Sequence, residues 1–153
     1  PICSHWRGQR TNELFEINFE KALELSQEFF DNLFYRNFIV NPKKYTFNYN
    51  MQASFFFHRL DETNNLFYRW IHKDKSIYAG VVYLNENPPD DSGTFLIKDD
   101  SIVPYENKYN RLVLYNSEYL HSPMSGFGKD ENSRLTLTIF ISKIDIKMEK
   151  HKE

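Results

Sequence analysis

The spacing of apolar residues changes once along the chain, near residue 40. Before it, apolar residues recur at intervals of three and four, the spacing of one face of an amphipathic helix. Asn18 comes directly before this run, and Asn is a favoured N-cap residue. The pattern predicts a helix that begins at Asn18 and ends near Asn37, ahead of the Asn41-Pro42 pair. The apolar positions are Phe19, Ala22, Leu23, Phe29, Phe30, Leu33 and Phe34.

After the change, every second residue from Tyr45 to Phe57 is apolar and the residues between are mostly polar. Side chains alternate between the two faces of a strand, so this pattern predicts one long, half-buried strand. The apolar positions are Tyr45, Phe47, Tyr49, Met51, Ala53, Phe55 and Phe57.

Shorter strand-like runs follow at 66–72, 77–85, 94–98, 111–115, 119–123 and 134–142. They are separated by turn-rich segments at 86–93, 99–110 and 125–133. Short strands at roughly even spacing after a helix predict a mainly β fold with an N-terminal helix, of the sandwich or jelly-roll type.

The chain has 153 residues, which predicts a single domain over 1–153. Hydrophobic residues make up 41% and charged residues 26%, so wholesale disorder is excluded. The charged end at 143–153 is expected to be a flexible tail. The first residue is Pro1 rather than Met, which is compatible with residues missing upstream.

The net charge and the cysteine content limit which partners and which cellular compartment are expected. The net charge of −2 gives no electrostatic basis for nucleic-acid binding, and no apolar run is long enough to span a membrane. Cys3 is the only cysteine, so no internal disulfide forms and a reducing, cytoplasmic location is expected. Aromatic residues reach 17%, which agrees with a β-rich fold.

Candidate chemistry begins with His72-Lys73-Asp74, at the end of a predicted strand. Alternation places His72 and Asp74 on one side, where both can bind one ion. The pair is weak evidence by itself, because with 21 acidic residues in 153 about one His in seven has an acid two positions on. A surface pair at a strand end is the alternative.

Two later residues strengthen this interpretation. His121 lies in another short predicted strand, and Arg134 opens the last long one. Two histidines and one carboxylate form the facial triad that binds non-haem Fe(II). An arginine fork suits the far carboxylate of a dianionic co-substrate, and Thr136 on the same side of the strand could add a hydroxyl.

In these residues the sequence resembles the 2-oxoglutarate- and Fe(II)-dependent oxygenases, especially bacterial and phage-type members of the prolyl-hydroxylase-like branch. The matching stretch runs from about Trp70 to Ser142. It contains the His-x-Asp pair, then Tyr83-Leu84-Asn85, Gly93-Thr94-Phe95 and the run from Arg111 to His121, and closes with Arg134-Leu135-Thr136.

The resemblance implies a double-stranded β-helix, the cupin-like jelly roll. It implies that His72, Asp74 and His121 bind Fe(II), and that Arg134, helped by Thr136 and Tyr83, binds 2-oxoglutarate. The implied reaction uses O₂ to hydroxylate a peptide side chain or a small molecule, and converts 2-oxoglutarate to succinate and CO₂. Ascorbate is a candidate reductant.

The sequence departs from the family at two positions. Ser92 stands where relatives often carry a second glycine before Gly93. The branch that demethylates nucleic acids carries a second arginine six residues after the first, where this chain has Phe140, so a nucleobase substrate is disfavoured.

Two other functions stay open at this point. A metal-binding jelly roll could serve as a non-catalytic structural or binding module, and a cupin-like metalloenzyme could work without a co-substrate. Both leave Arg134 without a role. Near the N-terminus, Trp6, Arg7 and Arg10 could cap a substrate groove, although loop arginines usually face water. His58 is expected to be exposed or at a cleft entrance.

Overall fold

The computed structural model describes residues 7–33, 43–64 and 70–152. A short strand β1 (Gln9–Arg10) precedes helices α1 (Leu14–Ile17) and α2 (Phe19–Asn32). The remaining strands are β2 (Tyr45–Leu60), β3 (Tyr78–Tyr83), β4 (Thr94–Lys98), β5 (Ser101–Tyr105), β6 (Leu112–Asn116), β7 (His121–Pro123) and β8 (Arg134–Lys150). The protein is therefore mainly β. Within the described residues, no helix is long and apolar enough to cross a membrane.

The strands form two antiparallel sheets. The larger has the order β1-β2-β8-β3-β6, and the smaller has the order β5-β4-β7. Leu96 from the small sheet packs against Val81 and Tyr115 of the large sheet in one buried cluster. The two sheets therefore face each other, which is consistent with a sandwich or jelly roll.

Helix α2 covers the outer face of the large sheet. It begins at the predicted cap, because the Asn18 side chain accepts a hydrogen bond of 3.1 Å from the Lys21 amide. Phe30 of the helix is buried against Phe55 and Ile139. Two predicted features lie outside the described residues. They are the helix end near Asn37 and the strand at 66–72, apart from its last residues.

Strand β2 runs three residues further than predicted, and a bulge between Gln52 and Ala53 interrupts its register with β8. Phe55 is fully buried as expected, but Phe57 is 38% exposed, so its assignment to the core was wrong. The opposite face of the strand is also covered, since His58 is buried. The middle of β2 therefore lies between two packed layers.

Two segments differ from the sequence prediction. Strand β5 lies inside the segment 99–110, because Asp99 and Asp100 adopt positive φ and make a tight two-residue hairpin turn from β4. Residues 143–150 are not a free tail: they extend β8 and pair with β2 from Tyr45 to Gln52. Alternating Ile144, Ile146 and Met148 in this charged segment fit a strand.

Candidate metal centre

The two candidate histidines lie side by side because their backbones pair. The amide of His72 donates to the carbonyl of His121 at 3.0 Å, and the amide of His121 donates back at 3.0 Å. The Asp74 amide donates to Ser117 at 3.2 Å and extends the contact. Two segments that are distant in sequence are thereby held in register, and their side chains emerge at one place.

Three ligand atoms converge there. One atom each from His72, Asp74 and His121 lies within 4.8 Å of the others. The distance from His121 Nε2 to Asp74 Oδ2 is 3.0 Å, and that from His72 Nε2 to Asp74 Oδ1 is 3.8 Å. Sequence analysis placed these three side chains together, and the structure has them together.

Backbone carbonyls orient both imidazoles. His72 Nδ1 donates to the carbonyl of Trp70 at 2.8 Å, and His121 Nδ1 donates to the carbonyl of Tyr119 at 2.9 Å. Each Nδ1 therefore carries a hydrogen, and each Nε2 is left to face Asp74. At 3.0 Å an imidazole nitrogen and a carboxylate oxygen need a positive charge between them, which either a proton on Nε2 or a bound metal ion supplies. Two imidazoles and one carboxylate suit a divalent metal such as Fe(II), and the residues fit that ion.

Rings pack around the triad and restrict its rotamers. Trp70 stacks on His72 with ring centroids 4.7 Å apart, and Tyr115 packs against His121 at the same centroid separation. Burial lowers the pKa of His72, which favours the neutral, ligating form. Burial, with the Asp74 charge adding to it, raises the pKa of Tyr115 well above its usual value, so this hydroxyl stays protonated.

Arg134 lies in the same cavity as the triad and is 1% exposed. Its Nε donates to the Ser92 carbonyl at 2.6 Å, and its Nη2 donates to the Gly93 carbonyl at 3.1 Å. No carboxylate forms an ion pair with it in the part of the chain that the structure describes. Burial lowers the pKa of Arg134, because keeping the guanidinium charge away from water is unfavourable.

The backbone around Arg134 is held from both sides. The side-chain nitrogen of Asn85 donates to the Ser133 carbonyl at 2.9 Å, and its side-chain oxygen accepts from the backbone amide of Leu135 at 2.8 Å. On the other side, Gly93 is required because a Cβ there would meet the carbonyl oxygen of Tyr105 at 1.9 Å. The guanidinium therefore has a fixed position in the cavity that the triad also lines.

The cavity lies between the two sheets. Thr136 lines it as expected, and so do Thr94 and Tyr115, which sequence reasoning did not place there. His58 was expected to be exposed or at a cleft entrance, and it is buried and lines the cavity. Thr94 and Tyr115 face the cavity in keeping with the alternation of side chains along β4 and β6. His58 faces the cavity because the pairing of β2 with β8 places it opposite Thr136.

Tyr83 differs from its expected position. Its hydroxyl donates to Thr94 Oγ1 at 2.9 Å, and its ring lies 5.7 Å from the Arg134 guanidinium carbon. The side chain is fully buried and does not line the cavity. The hydroxyl that faces the cavity is that of Thr94, and Tyr83 orients it.

No family model and no curated protein matches the chain. Among solved structures, a Pseudomonas putida prolyl-4-hydroxylase is similar over 81% of this chain and 64% of its own, with 19% identity and a TM-score of 0.41. The protein IDO from Bacillus thuringiensis is similar over 87% of this chain and 56% of its own, with 12% identity and a TM-score of 0.42. The chain thus spans less than two thirds of either protein. At these values the likenesses establish neither family nor function.

Proposed function

We propose that the chain is an Fe(II)- and 2-oxoglutarate-dependent dioxygenase that hydroxylates a peptide side chain or a small molecule. The observation that carries this proposal is one cavity that holds a His72–Asp74–His121 triad and a buried Arg134, which forms no ion pair with a carboxylate among the described residues. We further propose that residues 1–153 form one oxygenase domain, whose two sheets are those of a double-stranded β-helix.

The triad is proposed to bind the metal ion and to leave part of its coordination open. Three protein ligands on one side of an ion leave positions for a chelating co-substrate and for O₂. When bound, the iron supplies the redox chemistry by which one oxygen atom of O₂ enters the substrate and the other enters succinate, with release of CO₂.

Arg134 is proposed to bind the far carboxylate of 2-oxoglutarate. A guanidinium has five N–H donors, and the Ser92 and Gly93 carbonyls use two of them. A buried charge is costly unless it is paired, so an anion in this cavity would supply the missing partner. Thr94, which accepts from Tyr83, has its own hydroxyl hydrogen to donate to the same carboxylate.

The surrounding side chains are proposed to keep the bound groups away from bulk water. Tyr115 and Trp70 pack on the imidazoles, and His58 lines the cavity next to Thr136. Burial lowers the pKa of His58 to about 4, so this side chain adds no positive charge at neutral pH. Arg10 and Arg134 are then the two cations among the described residues that line the cavity, and Arg134 is the fully buried one.

A turnover assay tests the proposal. Purified protein with Fe(II), ascorbate and O₂ is expected to convert 2-oxoglutarate to succinate slowly even without a substrate. Asp74→Asn is expected to abolish this conversion, whereas Asp145→Asn, on the exposed part of β8, is a matched control that should leave it unchanged. Metal binding without any conversion would instead favour a non-catalytic metal-binding module.

A further inference from the structure

An open groove of about 590 Å³ adjoins the triad outside the cavity. Its walls carry three aromatic side chains, Phe56, Phe140 and Trp70. Phe56 and Phe140 pack edge to face, with ring centroids 6.0 Å apart. The groove reaches His72 and Asp74, so a molecule lying in it would present a carbon atom to the metal centre.

The charges of this groove are strongly one-sided. Arg10, Lys73 and Lys75 line it, and Asp74 of the triad is the one acidic residue among its described lining residues. The whole chain has a net charge of −2, so the local excess of cations is not a general property of the surface. Such a groove attracts an anion.

Arg10 is the cation placed to bind that anion. Its guanidinium carbon lies 4.3 Å from the centre of the Phe56 ring and 5.2 Å from that of Phe140. Arg10 lines both the cavity and the groove, so it stands where the two meet. A guanidinium packed against aromatic rings can still offer N–H groups to a carboxylate.

We infer that the groove binds a small apolar carboxylate, with Arg10 as its counter-ion and Phe56, Phe140 and Trp70 around its hydrocarbon part. The groove has the size of a small-molecule site, and its aromatic walls give an aliphatic chain a place to be buried. That this ligand is the substrate rests on the proposed oxygenase function. Phe140 then provides apolar contact at the position where nucleic-acid demethylases carry an arginine.

The fluorescence of Trp70 offers a direct test. The chain has two tryptophans, so a Trp6→Phe protein reports from Trp70 alone. The metal-free protein is titrated with hexanoate, hexanamide and hexylamine, which share one chain and differ in charge. Hexanoate is expected to change the fluorescence saturably, and the amide and the amine are expected to bind at least about tenfold more weakly.

Arg10→Gln is expected to weaken hexanoate binding about tenfold or more, and Arg10→Lys less, because lysine keeps the charge but not the fork. Arg59→Gln is the matched control, since Arg59 lies on the neighbouring residue pair of β1 and β2 but does not line the groove. Equal binding of hexanoate and hexanamide, or unchanged affinity in Arg10→Gln, would overturn the inference.

Two features keep this result separate from the enzymatic proposal. The titration contains no iron and no 2-oxoglutarate, so an inactive protein that still binds hexanoate would refute only the proposed oxygenase. An active protein without carboxylate selectivity would refute only the groove assignment. Should Arg10→Gln fail to fold, the comparison of hexanoate with hexanamide on the parent protein decides.

Discussion

His72 and His121 donate their backbone amides to each other's carbonyls, both at 3.0 Å. This isolated bridge fixes the separation of two imidazoles whose Nε2 atoms both face Asp74. The backbone pairing therefore brings the candidate ligands together, and the Trp70 and Tyr119 carbonyls orient the two imidazoles.

Removal of a triad ligand should remove metal-dependent stabilisation. Mn(II) at about a hundred times its Kd is expected to raise the Tm of the parent protein by roughly 5–10 °C, because binding to the folded state alone stabilises it. His72→Ala and His121→Ala are expected to lose this shift. His151→Ala is the control, since the hydrogen bonds of His151 are with Lys43 and Thr46, which do not belong to the triad. Thermal scans with and without Mn(II) measure the effect.

Arg134→Gln should separate co-substrate binding from metal binding. We expect the binding free energy of 2-oxoglutarate to become weaker by on the order of 2–5 kcal/mol, because a buried charge pair cannot form. Mn(II) affinity should stay close to that of the parent protein. Calorimetric titration of both ligands gives the answer, with the more exposed Arg111→Gln as control. An unchanged affinity for 2-oxoglutarate would remove Arg134 from the site.

Stability should fall in mild acid because of His58. Burial lowers its folded pKa to about 4, below the usual 6.5, so the unfolded chain takes up a proton that the folded protein does not. The stabilisation is present above about pH 6.5 and is lost as the pH falls toward 4, by about 3 kcal/mol at most. His58→Gln should show a smaller loss between pH 7 and pH 4.5 in urea unfolding. An equal loss in both proteins would contradict this assignment.

Two neighbouring phenylalanines test the burial of β2. Phe55 is fully buried among Phe30, Leu137 and Ile139, whereas Phe57 is 38% exposed. Phe55→Ala is expected to lower the free energy of unfolding by about 3–5 kcal/mol. Phe57→Ala on the same strand should cost clearly less. Similar losses in urea unfolding would contradict the difference in burial between these two side chains.

Local signals explain which parts of the fold could be predicted from sequence. The helix start at Asn18 depends on one side chain and one amide, so its residue type indicates the boundary. The strand from Tyr45 follows from simple alternation. The bulge at Gln52 and the exposure of Phe57 depend on pairing with β8, which no local pattern in β2 encodes.

The candidate site shows the same division. His72, Asp74 and Arg134 could be named because their residue types and order carry the chemistry. Tyr83 could also be named, but not its bond to Thr94, because that bond joins the two facing sheets. The burial of His58 was not predicted, because a histidine in an aromatic strand has no distinguishing neighbour in the sequence. Arg10 acquires its place only when β1 pairs with β2.

A crystal structure of the protein grown without oxygen, with Mn(II) and 2-oxoglutarate, tests the central claim most directly. We predict one ion bound by His72 Nε2, Asp74 and His121 Nε2, chelated by 2-oxoglutarate, whose far carboxylate pairs with Arg134. An ion bound elsewhere, or a 2-oxoglutarate molecule that does not touch Arg134, would contradict the account.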